Sequence, residues 1–125
     1  MTYVTITGNT HTKPASVAGR NERDMTTDMA KFTLDVTDLL VTAGDLLVSK
    51  QKDYGPYNIS RAPGGPLNGL RVRIFDKVSR INNLIDSGVE PEHESLRDSF
   101  IDLANYGIIA LMVLDGNWPS LENNE

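Results

Sequence analysis

The chain reads as an all-α domain, and three observations point there. Three segments carry apolar residues at helical spacing, roughly 27–52, 67–87 and 91–115. Glycine- and proline-rich stretches separate them, as helix boundaries require. The last segment, 101–114, is apolar nearly all round, the pattern of a helix buried in a core.

Residues 1–25 are polar and contain Gly8, Pro14 and Gly19. They read as an extended or disordered arm, with a weak strand alternation over Thr2–Thr7. The first helix opens at Thr26 or Thr27 as N-cap, with Asp28 in its first turn. Its apolar stripe is Phe32, Val36, Leu39, Leu40, Ala43, Leu46 and Leu47. Residues 53–69 read as a long linker, with Pro63 and Pro66 flanking Gly64 and Gly65. Such a loop in a small domain is often functional.

The second helix groups Ile74, Val78, Ile81 and Ile85 on one side. Arg73, Asp76, Arg80 and Asn83 lie opposite, flanked by Lys77, and Gly88 ends the helix. Pro91, Glu92 and Glu94 suit the first turn of the third helix. Gly116 stops it, Trp118-Pro119 folds back as an apolar tag, and 120–125 is a polar tail. The expected domain is therefore 26–119. A three-helix unit with one helix apolar all round often completes its core by dimerising into a larger bundle, so homo-oligomerisation is expected.

With 125 residues and a net charge of −5, the chain is one domain without a general grip on nucleic acid. It has no cysteine, so no disulfide, thiolate metal site or cysteine nucleophile. No signal peptide is legible, and the run 100–114 is too short to span a membrane. A cytoplasmic protein is expected. No histidine-partnered serine elbow suggests nucleophilic catalysis.

The chemistry concentrates on polar residues set into the last helix. On a continuous helix Glu94, Asp98, Asp102 and Asn105 fall at about 0°, 40°, 80° and 20°. Carboxylates on one stripe repel, and burying one unpaired costs several kcal/mol. A cation should face them. Either the stripe holds a divalent metal through several oxygens, or it forms a buried salt-bridge network with Lys77, Arg80 or Arg73 while Asn105 bonds a backbone group. The basic face of the second helix is either a phosphate cradle or a solvated surface. In Lys50–Asn58, Tyr54 or Tyr57 could stack on a base while Asp53 and Asn58 bond its edge or sugar. The plainer reading is a helix C-terminus stopped by Gly55. Gly64-Gly65 reads as a flexible linker, since no phosphate-loop fingerprint is present. His93 reads as a surface histidine.

Taken together, Lys50-x-x-Asp53-Tyr54-Gly55, Asn58, Arg71-x-x-x-x-Asp76-Lys77-x-x-Arg80-x-x-Asn83-Leu84 and Glu94-Ser95-x-x-Asp98-x-x-x-Asp102-Leu103-Ala104-Asn105-Tyr106 resemble a phage and bacterial family, nucleotide modification associated domain 1. Its phage versions are described as MazG-like. The resemblance covers 50–115, about half of the chain. A more distant resemblance is to the all-α nucleoside triphosphate pyrophosphohydrolases, which are oligomeric helical bundles. Their Glu-x-x-Asp motif is followed seven residues on by Asn, an interval that Asp98 and Asn105 keep. The position three before Asp98 is Ser95, however, and the glutamate is Glu94. Where those proteins have Glu-Glu-x-x-Glu, this chain has Asp76-Lys77-x-x-Arg80.

The resemblance implies a magnesium-dependent enzyme, with manganese as substitute, that splits a nucleoside triphosphate into monophosphate and pyrophosphate and so reshapes a phage's nucleotide pool. It implies Asp98, Asp102 and Glu94 as catalytic carboxylates, holding metal with Asp76. Lys50, Asp53, Tyr54, Asn58, Arg71, Lys77, Arg80 and Asn105 would bind the nucleotide. A homodimer or homotetramer is implied, with no nucleic-acid or membrane partner. The alternative is a non-hydrolytic protein that binds or sequesters a nucleotide, including a signalling nucleotide in host defence. The exchange of acids for Lys77 and Arg80 motivates it, because cations can grip phosphate directly.

Overall fold

A computed structural model of the chain describes residues 22–119. All regular structure in them is helical: α1 Glu22–Tyr54, α2 Tyr57–Ser60, α3 Pro66–Ser87 and α4 Leu96–Leu114. The expected all-α class is observed. The tail 120–125 and most of the polar arm, including the strand alternation at Thr2–Thr7, lie outside the described residues. None of the described helices is long and apolar enough to cross a membrane.

The chain divides into two compact units, residues 1–37 and 38–125. Of the first, 22–37 are described and all are helical. The helix thus already includes Thr26, expected as a cap, whose hydroxyl donates back to the Glu22 carbonyl at 2.9 Å. Thr33 does the same to Met29 at 2.8 Å, the usual way a helix absorbs threonine. Phe32 and Val36 of the apolar stripe are exposed.

The second unit holds the core. Ile59, Leu70, Ile109 and Trp118 are buried together, with Leu47 and Tyr106 packed against them. Leu70 meets Ile109, while further along α3 Lys77 and Arg80 reach back to Glu94. The partners run in opposite directions, so α3 and α4 form an antiparallel hairpin. On α1, only Ala43, Leu46 and Leu47 of the expected stripe are partly covered, and Leu39 and Leu40 are exposed.

The expected linker 53–69 is more structured than its composition suggests. Ile59, alone among polar neighbours, is 1% exposed and anchors the single turn α2 to the core. Trp118 does fold back: its indole N–H donates to the Pro56 carbonyl at 3.2 Å. Ser60 ties the same corner through its hydroxyl to the Pro119 carbonyl at 2.5 Å. Gly64 is no loose hinge either. Its φ is +78°, and a Cβ there would meet the Asn68 amide at 2.6 Å. That amide donates to the Pro63 carbonyl at 3.0 Å and fixes the turn into α3.

The α3 boundaries match expectation, with Pro66 in the first turn and Gly88 in the left-handed conformation after the last. The start of α4 does not. It begins at Leu96 rather than near 91, because Ser95 caps it. The Ser95 hydroxyl accepts from the Asp98 N–H at 3.0 Å, and the Asp98 carboxylate accepts from the Ser95 N–H at 3.3 Å, a reciprocal capping box. Glu94 therefore precedes the helix.

Candidate functional site

The helical repeat places Arg73, Lys77 and Arg80 along one flank of α3. On α4 it places Asp102, Asn105, Tyr106 and Ile109 toward the same side. The last turns of α1 bring Leu47, Lys50, Gln51 and Tyr54 over them. Between these elements lies a cavity of about 300 Å³, which Asn58 of α2 also lines.

Asp102 is the centre of the site. Lys50 Nζ lies 2.9 Å from its Oδ1 and Lys77 Nζ lies 2.9 Å from its Oδ2. Lys77 also reaches Glu94, at 2.6 Å from Oε1 and 2.9 Å from Oε2. Arg80 Nε stands 3.0 Å from Glu94 Oε2, and its terminal N–H donates to the Glu94 carbonyl. The hydroxyl of the fully buried Ser99 donates to Glu94 Oε2 at 3.2 Å. The Glu94 carboxylate, although outside the helix, is thus held by three side chains.

Burial pushes the Asp102 carboxyl up, but the hydrogen-bonded cluster it shares with Glu94, Lys77 and Lys50 outweighs burial and holds it at about 2. The hydrogen bond to Asp102 raises Lys50 against its partial desolvation. Burial lowers Lys77, but its bonds to Glu94 and Asp102 more than compensate and raise it. All three groups are charged at neutral pH. Lys50, Arg73 and Lys77 set three cations against the carboxylates of Glu94 and Asp102 on the cavity wall, an excess of one positive charge.

Of the expected site residues, Lys50, Tyr54, Asn58, Lys77, Glu94, Asp102 and Asn105 meet at the cavity. Asn105 is buried and donates to the Ala43 carbonyl at 3.0 Å, tying α4 to α1. Arg80 supports Glu94 from behind the wall. Asp53, Arg71 and Asp76 are exposed and do not line the cavity. Arg71 instead donates to the Asn68 side chain. Asp98 is exposed and spent on the capping box.

The donor set does not suit the expected divalent ion. Asp98 is spent on the capping box, Asp76 does not line the cavity, and a lysine ammonium stands between the two carboxylates that remain. Among the described residues, no group of three or more His, Cys, Asp or Glu side chains is placed to share an ion.

Among the polar lining residues, Gln51 escapes the sequence reading, with no spacing to single it out. Tyr106 stands in the family motif without a role of its own, and Arg73 was legible as part of a charged face and as a candidate partner of the acidic stripe. Its guanidinium donates to the Asn58 carbonyl at 3.1 Å, which fixes α2 against α3. The Asn58 amide oxygen is buried without a partner. The cavity thus combines cations able to hold an anion, two tyrosine rings, and an amide.

A family model described as nucleotide modification associated domain 1 matches residues 50–114, just over half of the chain and the whole of this cavity apart from Leu47. No curated protein matches the chain, and no solved structure does. The chain belongs to the nucleotide modification associated domain 1 family.

Proposed function

We propose that this member of the nucleotide modification associated domain 1 family binds a nucleotide, gripping its phosphates with lysines rather than through a metal ion. The observation that carries this reading is the pair Lys50 and Lys77, both held on Asp102 at 2.9 Å beside Arg73 on the wall of one cavity. In an unliganded pocket the carboxylates keep the ammonium groups charged and in place. An incoming phosphate then takes a share of the same hydrogen-bond donors, a charge-assisted contact roughly twice as strong as a neutral one. Lys50 is the more accessible, with 43% of its side chain exposed against 18% for Lys77, so it makes the first contact.

The rest of the pocket suits the remainder of a nucleotide. A cavity near 300 Å³ lies at the lower end for small-molecule sites. Tyr54 is 65% exposed at its mouth and free to stack on a base. The Asn58 amide oxygen, buried without a partner, can accept a hydrogen bond from a base edge or sugar hydroxyl once the side chain turns toward it.

The test is a thermal-shift panel of nucleoside mono-, di- and triphosphates, run with chelator and again with magnesium, with products read by chromatography. A ligand that prefers the folded state must raise the melting temperature. A shift in chelator with no product supports lysine-based binding. Monophosphate and pyrophosphate appearing only with magnesium would support the hydrolase that the distant resemblance implies.

A further inference from the structure

The cations around the cavity differ in how many hydrogen-bond donors they still have to give. Lys77 has three carboxylate oxygens for its three donors: Glu94 Oε1, Glu94 Oε2 and Asp102 Oδ2. Arg80 is turned to the carboxylate and the carbonyl of Glu94. Lys50 gives only one of its three donors, to Asp102. Arg73 gives one of its five N–H groups to the Asn58 carbonyl, and no carboxylate pairs with it among the described residues. Lys50 and Arg73 are therefore the two cations of the wall with donors to spare for a ligand.

The charges point the same way. With Arg80 behind the wall included, four cations stand against the two carboxylates of Glu94 and Asp102. An excess of two positive charges matches one phosphate monoester, which carries about 1.5–2 negative charges at neutral pH. A second or third phosphate adds negative charge for which the site has no cation. Of the other basic side chains in the same unit, Lys52 lies about 200° round α1 from Lys50. Arg61 sits over the Tyr57 ring at 4.0 Å, and Arg71 donates to Asn68. None of these three lines the cavity, nor does Arg97.

We propose that the cavity holds a single phosphate group and that its ligand is a nucleoside monophosphate, with Lys50 and Arg73 donating to the phosphoryl oxygens. This choice of ligand rests on the nucleotide reading of the cavity and narrows it.

The two residues face the cavity from different helices, α1 and α3, so they can hold one phosphate from two sides. A terminal phosphate presents three acceptor oxygens. The planar fork of Arg73 suits two of them and the ammonium of Lys50 the third. Lys77 adds its charge and yields a donor only where a carboxylate bond is shared. The volume agrees with a short ligand, since about 300 Å³ lies at the lower end for small-molecule sites. A nucleotide with a longer phosphate chain still enters, but its other phosphates remain in solvent and add no affinity.

The test is calorimetric titration of the full chain, in chelator, with adenosine, AMP, ADP and ATP and with the guanosine, cytidine and thymidine series. For the base that binds best, the monophosphate is expected to bind as tightly as the triphosphate to within about threefold, or more tightly. The bare nucleoside is expected to bind at least about tenfold more weakly than the monophosphate. Arg73→Gln keeps an N–H for the Asn58 carbonyl and removes the charge. It is expected to lower monophosphate affinity at least about tenfold, with unchanged helical circular dichroism. A triphosphate that binds more than about threefold tighter than its monophosphate overturns the proposal and leaves the nucleotide reading standing. Undiminished monophosphate affinity in a folded Arg73→Gln overturns it as well. No binding by any member of the series overturns both. If Arg73→Gln does not fold, the wild-type series decides alone.

Discussion

The ammonium of Lys77 on α3 lies 2.9 Å from the Asp102 carboxylate on α4, and both side chains are mostly shielded, at 18% and 12% exposure. The same ammonium holds Glu94 at 2.6 Å. One cation therefore bridges two carboxylates where the hairpin closes, and each has a second basic partner, Lys50 for Asp102 and Arg80 for Glu94. Lys77→Met removes it and leaves each carboxylate with its second partner alone, Lys50 or Arg80. Loss of such hydrogen bonds to charged groups costs about 1.5–3 kcal/mol. The expected result is a matching fall in unfolding free energy by urea titration, partly recovered in Lys77→Met with Asp102→Asn.

The pH dependence follows from Asp102. Its carboxyl titrates at about 2 in the folded chain, against an ordinary value of 3.8. The folded state binds that proton less readily than the unfolded one. The stabilisation is complete above about pH 5 and is lost as pH falls through the folded value near 2, and it amounts to about 2 kcal/mol. Asp102→Asn should therefore flatten the acid limb of stability between pH 5 and pH 2. Lys50 and Lys77 are raised above 10.5. Their contribution is complete below that value and is lost as pH rises through the raised ones.

Asp98 separates capping from catalysis. Its carboxylate accepts from the Ser95 N–H at 3.3 Å in the capping box of α4. Asp98→Asn should lower stability by no more than about 1 kcal/mol and leave nucleotide affinity unchanged. Loss of ligand binding with normal stability would return Asp98 to the site. The check is calorimetric titration beside urea unfolding.

Trp118 closes the core beyond α4. It is 9% exposed, packs with Ile59, Leu70 and Ile109, and donates to the Pro56 carbonyl. Trp118→Ala should cost about 3–5 kcal/mol in thermal or urea unfolding. Because Pro56 precedes α2, it should also release Asn58 and weaken ligand binding.

Much of this was legible in the sequence, for physical reasons that also mark where reading stops. Gly65-Pro66 and Gly88 punctuate α3 because backbone conformations that favour glycine flank it. Asn105 inside an apolar run demanded a partner, which is the Ala43 carbonyl. The start of α4 was obscured because Pro91, Glu92 and Glu94 imitate a first turn four residues before the capping box that Ser95 forms. The stripe of four polar residues presumes a helix that Glu94 does not join, yet Lys77 and Arg80 draw its carboxylate to the same place. Spacing identified the α1 stripe as apolar but not whether anything covers it, and Phe32 and Leu40 are 62% and 61% exposed. Ile59 gave no periodic signal, since one helical turn is too short to show one.

The central claim is that lysines, not a metal, hold the nucleotide phosphates. The most direct test is calorimetric titration of a nucleoside triphosphate panel into wild type and Lys50→Met, in chelator throughout. Lys50 is exposed enough that its loss should leave the fold intact, while a lost charge-assisted phosphate contact of about 1.5–3 kcal/mol weakens affinity about tenfold or more. Saturable binding by wild type in chelator, weakened by that factor in the variant, is the expected result. No binding in chelator, with binding restored by magnesium, would contradict it.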